Sequence, residues 1–407
     1  MMLELQYAEN STSSASEGNM AALRSTYADT SVLQFRLRAA GALLGVTDNT
    51  LRNYADTAGI EVKRGNEITP GSPAVRVFTP DTLFRLAQWR RSQGYVKGPS
   101  DSLAPTVIAV DVIKGGTGKT TTSVELTMHL QLLGLKVLLI DLDVQANATQ
   151  LMGYEPDLTR DEAPQFGLNQ DAIITGTFAS LLMPFIESQK RPGRSGFTLR
   201  PPESEDVIKK PFGEFGPHLI PADTFLGEIE QAIAMGPNDR ELLIREMLDA
   251  SAQGKIPGLD TSKYDVIIFD CPPNVSYTST AALAASDFVI APIRLDTFSV
   301  KGLMRLMTEI NALAKRYTHR SELIILPTHY SPQLARIGRM QSQLNTYRDA
   351  LAPNVISASE EFPKSLEVYL PLTLQKPTSN AAKEYKMFSE FIHGKLLAKA
   401  NPKAKKN

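Results

Sequence analysis

The sequence predicts an α/β protein with a mostly parallel sheet, preceded by a smaller N-terminal module of helices. Three observations predict it. Strand-like, largely apolar runs recur at 106–112, 136–141, 264–270, 288–293 and 323–327, the pattern of strands buried on both faces. Helix-period stretches such as 120–133 separate them, which places covering helices between parallel strands. A Gly/Pro/Ser cluster at 98–102 divides this part from the basic segment before it.

Composition narrows the class. The 407 residues are enough for two or three domains at roughly 150 residues each. With 42% hydrophobic residues the chain can bury a sizeable core, so global disorder is excluded. The single cysteine, Cys271, excludes a disulfide framework, a thiolate zinc cluster or a cysteine-ligated iron–sulfur site within one chain, and a reducing cytoplasm is the expected compartment. His129, His218, His319, His329 and His393 lack ligand spacing, so no metal cluster is expected from them. Residues 1–20 carry Glu4, Glu9 and Glu17 where a secretory signal would be cationic, and every apolar run falls short of the roughly 20 residues that span a bilayer. No membrane partner is expected.

Lys plus Arg total 43 against 44 Asp plus Glu, but this balance is an average over unlike segments. Residues 1–30 are net acidic, and 20–30 have helical potential, so this segment is expected to be helical and to contribute to a dimer interface. Residues 31–98 hold ten basic side chains against five acidic, a local charge of +5. Within them, 39–60 read as two helices broken at Gly45, with Thr47 or Asp48 capping the second and Leu51, Tyr54, Ala55 and Ala58 on its apolar face. The other face offers Asn49, Arg52, Asn53 and Asp56 to base edges or phosphates, and Thr47, Thr50, Lys63 and Arg64 are further candidate DNA contacts. Lys63 and Arg64 precede Gly65-Asn66, a pair suited to a hairpin turn, and 75–78 alternate as a strand would. Thr79-Pro80 then opens a helix. Helix-turn-helix, basic wing and supporting helix together are expected to form a winged helix-turn-helix DNA-binding domain over 31–98. Residues 99–105 follow as a linker, 106–400 as the α/β domain, and 401–407 as a basic tail.

The chemistry is concentrated at Lys114-Gly115-Gly116-Thr117-Gly118-Lys119-Thr120-Thr121, between the first strand and the first helix of the α/β part. Backbone N–H groups and a helix N-terminus there would converge on phosphate oxygens, as in a P-loop NTPase. Lys119 would reach the β/γ-phosphates and the Thr120 hydroxyl would ligate Mg²⁺. Ile113 stands where the general pattern has its first glycine, and Lys114 adds a second lysine at the loop entrance. Asp141 and Asp143 follow the second strand and Asp270 ends a later one, so three carboxylates lie at the C-terminal edge of the sheet, where open α/β folds bind ligands. Asp270 is expected to hold Mg²⁺.

These motifs resemble the deviant Walker motifs of the ParA/MinD superfamily. With the N-terminal module, nearly the whole chain resembles the long ParA-family plasmid partition ATPases. The resemblance implies ATP hydrolysis to ADP and phosphate with Mg²⁺ as cofactor. It implies that Lys114 reaches the partner's nucleotide across an ATP-sandwiched homodimer, that Asp143 orients the attacking water, and that Asp141 supports the Mg²⁺ region. Such proteins usually have proline where this chain has Val144. The resemblance further implies ATP-dependent nonspecific DNA binding, a ParB-type centromere-binding partner that stimulates hydrolysis, repression of its own operon through the N-terminal module, and a cytoplasmic, nucleoid-associated location. Arg336, Arg339 and Arg348 are candidates for the nonspecific phosphate contacts. The alternatives are a MinD-like positioning ATPase and an ATP-responsive winged-helix transcription regulator.

Overall fold

The structure is a computed structural model that describes residues 30, 33–68, 70–99, 104–190, 207–235, 239–317, 319–331 and 345–401. The expected N-terminal helical segment up to residue 29, Arg336, Arg339 and residues 402–407 of the tail lie outside the described residues.

The N-terminal module comprises β1 (Phe35–Arg36), α1 (Leu37–Leu44), α2 (Asp48–Thr57), α3 (Gly65–Ile68), β2 (Val77–Phe78) and α4 (Pro80–Ser92). Gly45 ends α1 in the left-handed region at φ 66°, a conformation glycine adopts without steric cost. Thr47 then caps α2, its hydroxyl accepting from Thr50 N at 3.2 Å. Leu51 and Ala55 of α2 are buried, and Phe35 pairs with Phe78 across the antiparallel β1–β2 ribbon.

The tight hairpin turn expected at Gly65-Asn66 does not form. Gly65 instead opens the helical turn α3, because the Glu67 carboxylate reaches back to accept from Arg64 N at 2.9 Å and holds the chain in a turn. Residues 63–65 still lie antiparallel to 75–77, through Gly65 N to Val75 O at 2.9 Å and Val77 N to Lys63 O at 3.0 Å.

The larger part is a six-stranded sheet of β3 (Thr106–Val110), β4 (Val137–Asp141), β5 (His218–Ile220), β6 (Val266–Asp270), β7 (Phe288–Arg294) and β8 (Glu322–Thr328). The strands are all parallel and run in the order β5-β4-β6-β3-β7-β8. Every residue of β3, β4 and β6 is buried, which explains why these segments read as unbroken apolar runs. Helices α5 (Lys119–Leu132), α6 (Asn147–Leu151), α7 (Phe178–Lys190), α8 (Leu226–Ala234), α9 (Leu243–Ala252), α10 (Tyr277–Ala285), α11 (Thr297–Tyr317), α12 (Glu361–Glu367), α13 (Leu372–Gln375) and α14 (Asn380–Ala400) complete the chain. Helix α7 continues through Pro184, which lies inside it. Side chains of α7 to α11 build the core on one face of the sheet, and those of α5 and α14 build it on the other.

The N-terminal module is not a separate lobe. Leu51, Leu83 and Phe84 belong to the same apolar core as Leu126 of α5 and Phe388 of α14. The seam is also polar. Arg91 of α4 forms a two-pronged ion pair with Asp265, one arm measuring 2.9 Å, and donates to the carbonyls of Gly134 and Pro99. Lys386 of α14 donates to Ala42 O at 2.9 Å. A Cβ on Gly134, whose φ is 86°, would lie 2.5 Å from Ala87 O, so that turn can approach α4 only as glycine.

Beyond its first turn helix α5 is buried, and its polar residues there are tied off internally. Glu125 accepts from Leu372 N at 2.7 Å and Thr373 N at 3.0 Å, and the Thr373 hydroxyl lies 3.0 Å from His129 Nε2. Burial raises the Glu125 carboxyl to about 7 and, together with nearby Lys386, lowers His129 to about 3.

Two stability predictions follow from these contacts. Arg91→Met leaves Asp265 buried with its charge unpaired and is expected to cost about 3 kcal/mol in urea unfolding, with Arg91→Lys a poor substitute because it lacks the planar fork. For pH, the depressed His129 stabilises above about 6.5 and loses that contribution as pH falls towards 3. The raised Glu125 acts oppositely, its stabilisation being present below about 4.5 and lost as pH rises through about 7. The two slopes offset each other between about 4.5 and 6.5. Urea melts of Glu125→Gln should therefore show stability falling on acidification, and those of His129→Gln should show it rising.

Candidate functional site

Strand β3 ends at Val110, and the chain turns through 111–118 into α5. Gly116 and Gly118 occupy the left-handed region at φ 69° and 88°, so both positions need glycine. Cβ atoms at Gly115 and Gly116 would meet no protein atom within 4 Å, so the loop presents a smooth cradle lined by backbone. Lys119 opens α5 and donates from Nζ to Lys114 O at 2.8 Å. Burial lowers its ammonium pKa, and the charges of Asp270 and Asp111 oppose that shift. Thr120 and Thr121 follow in the first turn, and the Thr120 hydroxyl reaches Asp270.

Asp141 and Asp270 stand directly opposite each other where β4 and β6 end. Burial raises both carboxyls, and the charge of Asp270 raises Asp141 further. Their surroundings differ. The oxygens of Asp141 are used by its own loop: Oδ2 accepts from Thr149 N at 2.9 Å and Thr149 Oγ1 at 2.8 Å, and Oδ1 accepts from Asp143 N at 3.1 Å. Asp270 accepts from Ser123 Oγ at 2.8 Å through Oδ1, while its buried Oδ2 has no hydrogen-bond partner among the described residues. The buried Thr117 Oγ1 is likewise unsatisfied among them. Asp141 thus positions the loop, and Asp270 carries the open oxygen. Asp143 is buried at the loop's start, and Ala146 closes the loop in the left-handed region at φ 50°.

Two contacts were not legible in the sequence. The Thr328 hydroxyl at the end of β8 donates to Thr117 O at 2.7 Å, which anchors the loop to an edge strand more than 200 residues away. Lys114 Nζ pairs with Asp296, at 2.9 Å to Oδ1 and 3.2 Å to Oδ2. No local pattern marks Thr328, and none pairs Asp296 with Lys114. Ser123 and Thr149 were equally silent, since a hydroxyl one helical turn inside a buried helix looks like any packing residue.

The candidate DNA residues fall in two places. On α2, Asn49, Arg52 and Asn53 are exposed, and Arg52 donates to Asn49 Oδ1 at 3.1 Å. The Thr47 hydroxyl is used in capping and also lies 2.8 Å from that of half-buried Thr50. Lys63 and Arg64 are exposed, Arg64 donating to Ala74 O at 3.0 Å. Arg348 is exposed on the 345–350 turn, and the residues just after that turn pair with β8.

A family model described as an AAA domain matches residues 105–325. The sporulation initiation inhibitor protein Soj of Bacillus subtilis is 28% identical over 69% of this chain and 94% of its own length. A ParA family protein of Chlamydia pneumoniae is 31% identical over 52% of this chain and 67% of its own. Among solved structures, one titled Partition Protein superimposes with a TM-score of 0.57 at 17% identity, covering 96% of this chain and 98% of that one. This last likeness concerns the fold and extends over the N-terminal module as well. With the glycine cradle, its two lysines and the opposed carboxylates already in place, these matches identify the chain as a member of the ParA family of ATPases.

Proposed function

We propose that this ATPase is a DNA partition protein that binds DNA as an ATP-dependent homodimer and whose hydrolysis is stimulated by a ParB-type centromere-binding protein. The observation that carries the reading is the union, across one buried seam at Arg91–Asp265, of a two-lysine phosphate loop with a basic module whose helices α1 and α2 meet at a tight turn. Relatives named for partition and for sporulation or chromosome control support it.

The residues fit a nucleotide with Mg²⁺. The cradle 114–118 offers backbone amides at the start of α5, and the open Asp270 oxygen beside the Thr120 hydroxyl suits a hard cation. When bound, Mg²⁺ would neutralise charge developing on the phosphates. Lys119 exchanges the Lys114 carbonyl for phosphate oxygens and holds them in cis. Asp143, fixed through its amide by Asp141, orients the attacking water. Lys114 completes the charge shell of a second subunit's nucleotide, so hydrolysis follows association. In the N-terminal module, Asn49, Thr50, Arg52 and Asn53 of α2 read an operator, with Thr47 at the helix start and Lys63 and Arg64 as backbone contacts, and repress the protein's own operon. Arg348, with Arg336 and Arg339, supplies nonspecific phosphate contacts.

A MinD-like membrane role is disfavoured by α14. Phe388, Ile392 and Leu396 pack in the core with α5, and Lys399 pairs with Asp287 at 2.6 Å. That helix has its apolar face already covered. No helix among the described residues is long and apolar enough to cross a membrane.

Retention of nonspecific duplex DNA is expected with ATP and Mg²⁺, to be lost with ADP, and to fall steeply with salt. Equal retention with both nucleotides would overturn the partition reading. Arg52→Ala should weaken operator binding by about 1–3 kcal/mol and leave ATP-dependent nonspecific retention intact. At the phosphate site, Asp270→Asn should abolish the Mg²⁺-dependent part of the ATP-induced rise in melting temperature. Asp141→Ala, which removes the acceptor of Asp143 N, should keep that rise but slow hydrolysis by displacing Asp143.

A further inference from the structure

We infer that Asp296 holds Lys114 within its own subunit and so sets how much nucleotide is needed to bring two copies together. The inference rests on the proposed reading of Lys114 as the lysine that serves a second subunit's nucleotide.

The acceptor is a fixed one. Besides receiving Lys114 Nζ on both oxygens, Asp296 accepts from Ser299 N at 2.8 Å, and its own amide donates to Arg294 O at 2.7 Å. It is therefore built into the start of α11. Burial alone would raise its carboxyl, but the donors from Lys114 and Ser299 outweigh burial and hold it below the usual range.

The lysine backbone is fixed too. Lys114 N donates to Val112 O at 2.6 Å, and the α11 residue Gly302 packs so close that a Cβ there would lie 2.9 Å from Ile113 O. Only the four methylenes of Lys114 can move the charge. The two side chains are about a quarter exposed, at 26% and 27%, so solvent screens the pair only partly.

The Lys114 ammonium has three N–H donors and directs them at both oxygens of Asp296, so a phosphate of another subunit competes with Asp296 for them. Whatever part of the internal pair is given up is subtracted from the free energy of nucleotide-driven association. Asp296 is a positioning residue in this scheme: it touches neither nucleotide nor water, and it acts only through Lys114.

The test uses the full chain with ATP and Mg²⁺, following dimer formation by sedimentation velocity as ATP is titrated. Asp296→Asn keeps an oxygen for Ser299 N, so thermal melting should match wild type. The ATP concentration at half-dimerisation should fall roughly three- to tenfold, and this difference should shrink as salt is raised. The double variant with Lys114→Met should behave as Lys114→Met alone. If Asp296→Asn titrates like wild type while Lys114→Met fails to dimerise, the internal-hold inference is overturned and the reading of Lys114 stands. A shift that persists in the Lys114→Met background reduces Asp296 to a helix cap and also overturns the inference. If Lys114→Met dimerises and hydrolyses like wild type, the reading of Lys114 itself fails, and the inference with it.

Discussion

The structure depends on the enclosure of α5. This helix begins at the phosphate loop and from Thr122 to Leu132 is covered by the sheet, by α4 of the N-terminal module and by α14, so the polar side chains of that stretch cannot be left to water. Each must be satisfied internally, since an unpaired buried polar group costs about 1–3 kcal/mol. Ser123 is bonded to Asp270, Thr122 to Tyr385, Glu125 to the start of α13, and Gln131 to Phe215 O and Val137 N. Through these bonds one helix registers Asp270, the C-terminal helix and the edge of the sheet against the phosphate loop.

The same enclosure accounts for the charge distribution at the site. Two fully buried carboxylates end adjacent parallel strands, and burial pushes both towards protonation. The fold resolves this by giving them unequal work. Asp141 is saturated by donors from its own loop, whereas Asp270 keeps one oxygen unsatisfied among the described residues, a position that a divalent cation stabilises. The two lysines of the loop show a related economy, since each is matched inside the chain, Lys119 by a carbonyl and Lys114 by Asp296.

The N-terminal module illustrates how local and nonlocal information divide. Its helices, the Thr47 cap and the Thr79-Pro80 start are short-range features, and the structure has them where the residue pattern puts them. The wing region was read less well, because the Gly65-Asn66 signal competes with the Glu67 back-bond to Arg64, and the helical turn prevails. The docking of the whole module was not legible. A Gly/Pro/Ser stretch looked like a tether, but Pro99 O is bound by Arg91, and Arg91 is locked to Asp265 in the sheet domain. An arginine at the end of an amphipathic helix reads as solvated until its partner, far along the chain, is brought beside it.

What the sequence determined by itself was everything carried by spacing along the chain: the parallel α/β class, the glycine cradle with its lysines, and the acids that end the strands. Strand period, left-handed glycines and helix starts are local, so neighbouring residues suffice to specify them. Tertiary structure alone decided which acid keeps an open oxygen, which hydroxyl anchors the loop, and which carboxylate holds Lys114. Those outcomes depend on side chains such as Ser123, Thr149, Asp296 and Thr328 arriving from separate elements, and hydrogen bonds act over about 3 Å in space irrespective of sequence distance.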